Sequence, residues 1–259
     1  SWHDALLPTY LGKSYLNKPP GMHLAIAALM RLWRLASGAG PAALPPEWVV
    51  RLRPALGSTL LVPLLGLVQA RLRPGRAEAA VATALITLTL MPLARHGRLA
   101  MLDGTQLSAM ALVWLGLLVA EGSHRSVLAG GGLAGLGGSA LLLMKAPVAL
   151  PVVLGALALR WLDRGLYRRG WRWLLGGLLL GLVPGLAWHL WHGIARGEEA
   201  LVMWGPQGMA RITTGVENNG GGPVVPLVQL LTGGWPWLPL WPFGIALAWL
   251  GANEAPAPP

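Results

Sequence analysis

Apolar residues fall in long runs along this chain, at about 54–70, 77–94, 100–120, 127–144, 146–159, 173–192 and 234–250, with a shorter one at 22–36. About 17–25 helical residues are enough to cross the hydrocarbon core of a bilayer, and most of these runs approach or reach that length. The polar residues between them are spread unevenly, and the unevenness sets a direction. Arg71, Arg73 and Arg76 fill one short connection, Arg125 lies in the next but one, and Arg160, Arg164, Arg168, Arg169 and Arg172 crowd another. Short loops rich in Arg stay on the cytoplasmic side. Alternation then places 95–99, Lys145 and the long segment 193–225 together on the opposite, periplasmic face. The pattern predicts an all-α, polytopic membrane protein with about seven transmembrane helices.

The run at 22–36 does not fit that series, because it is short and carries His23, Arg31 and Arg34. Lys18-Pro19-Pro20-Gly21 precedes it as a helix start, and the breaker stretch Ser37 to Pro46 follows. We read it as an amphipathic helix lying in the outer interface, which puts Lys18 on the periplasmic side. On that reading Arg51 and Arg53 also lie outside, against the usual bias. The expected organisation is a periplasmic loop with an interfacial helix over 1–53, a transmembrane core over 54–192, a long external loop over 193–225, and a last span and tail over 226–259. With Ser at position 1 and the polar, Pro-rich tail Asn253 to Pro259, the sequence reads as a fragment or processed chain.

Composition narrows the class. The net charge is +10, yet only 12% of residues are charged and 54% are hydrophobic. A soluble domain carries about a quarter charged residues, and a soluble nucleic-acid binder spreads its Arg over a hydrophilic surface. Neither description fits, so no nucleic-acid partner is expected. With no Cys, disulfides, thiolate zinc sites and thiol catalysis are excluded.

The candidate chemistry lies on the predicted outer face. Of the 20 basic residues only Lys13, Lys18 and Lys145 are Lys, and all three fall there. An ammonium grips phosphate as a compact point charge. Lys145 sits between Leu141-Leu142-Leu143-Met144 and Ala146-Pro147-Val148, where an ionisable group at membrane depth is either functional or snorkelling to head groups. Asp103, at the outer end of a span, is either a carboxylate facing a cavity or an N-terminal helix cap. His189 and His192 lie three apart, but no third ligand accompanies them, so a divalent metal is not indicated. The glycines at 130–132, 135, 137 and 138 fit close helix packing. Most of the 14 Trp, including Trp235-Pro236-Trp237 and Trp241, fit an interfacial belt.

Tyr15-Leu16-Asn17-Lys18-Pro19-Pro20, then Arg98 to Asp103, Met144-Lys145-Ala146-Pro147, and Gly234-Trp235-Pro236-Trp237 follow one another in an order that resembles the polyprenyl-phosphate-sugar glycosyltransferases of the GT-C superfamily. The nearest branch is similar to the lipid A aminoarabinose transferases and protein O-mannosyltransferases. The resemblance implies a bacterial inner-membrane enzyme whose periplasmic face moves a sugar from a polyprenyl-phosphate donor to a lipid, glycan or protein acceptor. It implies that Lys18 and Lys145 hold the donor phosphate, that Asp103 is catalytic, and that Tyr15, Arg98, Glu217 and Trp237 line the substrate cavity. The 193–225 segment matches the family's flexible external loop. Beyond the lipid-linked donor, no cofactor is implied. The family's first acidic pair has no match here, and Asn218-Asn219 and Gly220-Gly221-Gly222 replace its usual His before Pro223. The chain therefore reads as most of the membrane core of a longer transferase, lacking one acidic loop. A transporter or lipid flippase is the competing class. It would place charges near the bilayer midplane, often within an internal repeat; the chain shows no repeat and its candidates lie at span ends.

Overall fold

Proline and glycine decide where the helices start, bend and stop. A computed structural model of the chain describes residues 6–7, 9–40, 42–97, 99, 101–162, 170–205 and 224–253. A two-strand hairpin, β1 (Thr9–Tyr10) and β2 (Lys13–Ser14), precedes α1 (Gly21–Ser37), α2 (Glu47–Thr59), α3 (Leu61–Leu72), α4 (Ala77–Thr89), α5 (Met91–His96) and α6 (Asp103–Val119). After these come α7 (His124–Leu162), α8 (Trp171–Arg196), a 3-10 segment at Gly197–Met203, α9 (Val224–Gly233), a 3-10 turn at Leu238–Leu240 and α10 (Trp241–Asn253). Helix α1 follows Pro19-Pro20 and stops at Gly38, whose φ of 66° is a left-handed C-terminal cap. Helix α4 ends where Leu90 turns extended ahead of Pro92, so the run 77–94 is two helices and not one.

Among the described residues three stretches are long and apolar enough to cross a membrane: Glu47–Leu72, His124–Leu162 and Trp171–Met203. The first begins earlier than the apolar run at 54–70 suggests, with its two helices meeting at Leu60. The third carries helical structure into the segment expected to be external loop, since α8 runs to Arg196 and the 3-10 segment continues to Met203. Residues 206–223 of that segment lie outside the described residues.

Helix α7 is two antiparallel arms. Pro147 cannot donate to the carbonyl of Leu143, and its ring crowds that carbonyl, so the helix breaks just before it. Lys145 leaves the helical region, at φ −157° and ψ 81°. In a straight helix residues 138 and 153 would lie about 22 Å apart. Here a methyl on Gly138 would meet Val153 Cγ2 at 3.1 Å. The chain folds back at Lys145, where the sequence places the junction of two spans.

Close backbone approach holds the arms to their neighbours. Lipid is as apolar as Leu, so helices within it gain little from hiding apolar surface and associate through tight packing of small residues. Glycines on both neighbouring helices let the first arm of α7 come close. A methyl on Gly177 of α8 would lie 2.0 Å from Leu128 O, and one on Gly116 of α6 would lie 2.4 Å from Ala134 N. At the far end of the second arm Arg160, only 8% exposed, donates to Leu117 O at 2.6 Å and Ala120 O at 2.7 Å. Those carbonyls are the orphans at the C-terminus of α6, where the helix dipole also favours a cation. Arg164, Arg168 and Arg169 lie outside the described residues.

Candidate functional site

The fold-back at Lys145 exposes carbonyls that a straight helix would satisfy, and the structure covers them from two directions. His189 Nε2 of α8 lies 3.1 Å from Leu142 O. From the other side the start of α1 docks so closely that a methyl on Gly21 would sit 2.6 Å from Leu143 O. Pro19 and Pro20 are less than 2% exposed in this contact region. Lys18, one residue earlier, is thereby carried to the same place as Lys145.

Tyr15, Lys18, His23, Asp103 and Lys145 line one cavity of about 220 Å³, with Met22, Ile26, Met101 and Leu102 as its apolar walls. Both lysines are half-buried. Among the described residues neither is ion-paired with Asp103, so two ammonium groups face the cavity uncommitted. Asp103 is the first residue of α6, after Leu102 at the N-cap position, and this exposed residue lines the cavity. Lys13 is exposed in β2, paired through the backbone with Tyr10, and is not part of the cavity.

His23 is the residue that sequence reasoning passed over, treating it only as a charge that made 22–36 a poor span. Its ring lies edge-on to Tyr15, with centroids 5.8 Å apart. Burial lowers its pKa below the ordinary 6.5, Lys18 lowers it further, and a hydrogen bond to the Pro19 carbonyl opposes both. The signal was present in the five-residue spacing from Lys18, but only the docking of α1 on the Lys145 turn gives it meaning.

The remaining expected positions fall elsewhere. Trp237 is not in this cavity; its Nε1 donates to Thr89 Oγ1 at 2.8 Å. Arg98 and Glu217 lie outside the described residues. His189 and His192 are engaged in packing: Trp188 stacks on His192 at 4.6 Å and 15°, and Trp204 meets His189 edge-on at 5.4 Å. Among the described residues no three His, Asp or Glu side chains group to hold a metal.

Two further cavities adjoin this one. The first, of about 460 Å³, is mostly apolar, shares Met22 and Met144 with the region of the Lys145 turn, and is bordered by Leu60, Leu64 and Leu112. The second, of about 500 Å³, shares Met101 and Asp103 with the lysine cavity and extends to α5 and α9.

No family model matches the sequence, and no curated protein sequence matches it. Solved structures do. The crystal structure of ArnT from Cupriavidus metallidurans bound to undecaprenyl phosphate superposes with a TM-score of 0.75 at 22% identity, over 98% of this chain and 44% of that one. This chain has the ArnT fold. The apo form of the same ArnT gives a TM-score of 0.67 at 21% identity, over 93% of this chain and 42% of that one. The chain thus spans less than half the length of the ArnT structures, and within that span the likeness is one of fold.

Proposed function

We propose that this chain forms the donor-binding part of a membrane glycosyltransferase that takes a sugar from a polyprenyl-phosphate carrier. The carrying observation is that Lys18 and Lys145, from distant parts of the sequence, line one small cavity with Asp103. The two lysines hold the donor phosphate. An acceptor oxygen attacks the anomeric carbon, the bond from that carbon to the phosphate oxygen breaks, and the electron pair leaves on the phosphate. Two fixed ammonium groups stabilise the charge that develops there, which is where preorganised electrostatics lowers a barrier most. Asp103 orients the acceptor hydroxyl or accepts its proton. The polyprenyl tail runs from the phosphate into the apolar cavity bordered by Leu60, Leu64 and Leu112. That ArnT binds undecaprenyl phosphate supports the choice of carrier.

On this reading the protein sits in the bacterial inner membrane with about seven spans. Helix α1 lies in the periplasmic interface, and the lysine cavity opens on that side. The acceptor is a lipid, glycan or protein. Titrating the nanodisc-embedded chain with undecaprenyl phosphate tests the reading: the unsubstituted chain binds it, and Lys18→Ala and Lys145→Ala each lose that binding while retaining the unfolding midpoint. Unchanged affinity in both variants refutes the assignment.

A further inference from the structure

Arg53 and Thr105 bring polarity into the apolar cavity of about 460 Å³, and a polyprenyl tail offers neither of them a partner. Among the described residues Arg53 of α2 is half-buried and makes no ion pair or hydrogen bond, whereas Arg51, two residues earlier, is bonded to Glu47. Thr105 of α6 is 7% exposed, and its Oγ1 is buried with no hydrogen-bond partner. Ser108, nearly one turn on, has spent its hydroxyl on Gly57 O at 2.5 Å. The two free groups converge at Gly57, where a methyl would stand 2.8 Å from Thr105 Cγ2 and 3.1 Å from Arg53 Nη1.

A buried hydroxyl without a partner is destabilising, and a guanidinium against hydrocarbon is more so. No Asp or Glu lines this cavity, so the chain supplies no counter-charge there. A phosphate answers both groups, because the guanidinium fork takes two of its oxygens and the hydroxyl donates to a third. The walls, among them Leu60, Leu64, Leu112 and Leu143, call for hydrocarbon attached to that anion. Leu60, 55% exposed, opens the cavity to the outside of the bundle. Arg53 lies six residues into α2, about 9 Å along it, and from that depth a long side chain reaches the head-group level.

We infer that Arg53 and Thr105 seat the phosphate of a membrane glycerophospholipid whose acyl chain fills the apolar cavity, and that the polyprenyl carrier enters by displacing this lipid. The exchange rests on the donor reading above, which sends the carrier's tail into the same cavity; the phospholipid site does not. The two amphiphiles place their phosphates differently, one at Arg53 and Thr105 and the other at Lys18 and Lys145, yet compete for one hydrocarbon space. Carrier occupancy therefore depends on the phospholipid around the protein, and Arg53 sets how strongly.

The test uses the full chain, delipidated in a nonionic detergent, and three probes: palmitoyl-oleoyl phosphatidylglycerol, glycerol phosphate as the same anion without chains, and undecaprenyl phosphate. Arg53→Gln weakens phosphatidylglycerol binding about tenfold and Thr105→Val about threefold, the loss of one charged and one neutral contact. Arg53→Lys recovers part of the first loss. Undecaprenyl phosphate titrated alone binds these variants as it binds the unsubstituted chain. Added phosphatidylglycerol weakens undecaprenyl phosphate binding to the unsubstituted chain, and does so about tenfold less effectively in Arg53→Gln. Unchanged phosphatidylglycerol affinity in Arg53→Gln overturns the inference, as does glycerol phosphate binding with the same Arg53 dependence, which would mark a site for a free anion. Equal loss of phosphatidylglycerol and undecaprenyl phosphate in Arg53→Gln assigns the two groups to the carrier and overturns it too, and absence of competition overturns the exchange. Failure of the unsubstituted chain to bind undecaprenyl phosphate while Arg53-dependent phosphatidylglycerol binding persists overturns the donor reading and the exchange with it, and leaves the phospholipid site standing.

Discussion

The second arm of α7 carries a cation at each end, and the two are treated oppositely. Arg160 is buried and spends its donors on Leu117 O and Ala120 O, closing the C-terminus of α6. Lys145, at the fold-back, is half-buried, makes no ion pair with Asp103, and faces a cavity that holds a second lysine. One charge is consumed by the fold and the other is kept available. A half-buried ammonium beside another is unfavourable without an anion between them, which is why the lysine end reads as a binding site and the arginine end as a joint.

The contrast breaks most sharply at Arg160. Replacing it with Met leaves two helix-end carbonyls without their charged donor, and each such bond contributes about 1.5–3 kcal/mol. We expect a loss of roughly 3 kcal/mol or more in unfolding free energy with undecaprenyl phosphate affinity unchanged among molecules that remain folded, read by thermal unfolding and by ligand titration. Lys145→Ala inverts this, with about a hundredfold weaker undecaprenyl phosphate binding, equivalent to about 2.7 kcal/mol, and little change in unfolding. Gly177→Ala probes the frame that holds both ends together. Its methyl would lie 2.0 Å from Leu128 O, so α7 and α8 must separate, at about 1–3 kcal/mol seen in unfolding.

The smallest effect sharpens the lysine end by pH. The folded state disfavours protonation of His23, whose pKa lies below its ordinary 6.5 through burial and then through Lys18. Stability from this site is therefore present above about pH 6.5 and is lost as pH falls through the lowered value, because the unfolded chain binds the proton more readily. The Tm of His23→Gln should fall less on acidification than that of the unsubstituted chain; parallel curves would show that His23 is not held neutral by its neighbours.

Much of this was legible in the sequence, for identifiable reasons. The scarcity of Lys against Arg singled out Lys13, Lys18 and Lys145, of which the last two line the cavity, and Pro147 after Lys145 marked the fold-back, because a proline two residues on removes a helical hydrogen bond whatever the tertiary context. Sidedness was read from Arg alone; in the structure Arg160 meets Ala120, while Lys18, Asp103 and Lys145 line one cavity. Less legible were features created by packing. The break at Leu60 has a local cause in Pro63, which cannot donate to Thr59 O, but nothing local announces the β1–β2 hairpin or the helical continuation through Met203. His23 gained its place only when α1 docked on Leu143. Arg160 read as one more orienting charge, although its long side chain closes a neighbouring helix. Trp237 shows the converse: a residue in a suggestive motif whose indole is spent on Thr89.

The most direct measurement is the distance from a bound phosphate to each lysine. The chain has only Lys13, Lys18 and Lys145, so selective ¹⁵N labelling of lysine Nζ gives three signals, assigned by Lys→Arg variants. Solid-state dephasing against ³¹P of bound undecaprenyl phosphate should appear at Lys18 and Lys145 together and not at Lys13. Dephasing at neither Lys18 nor Lys145, or at only one of them, would contradict a phosphate held between the two.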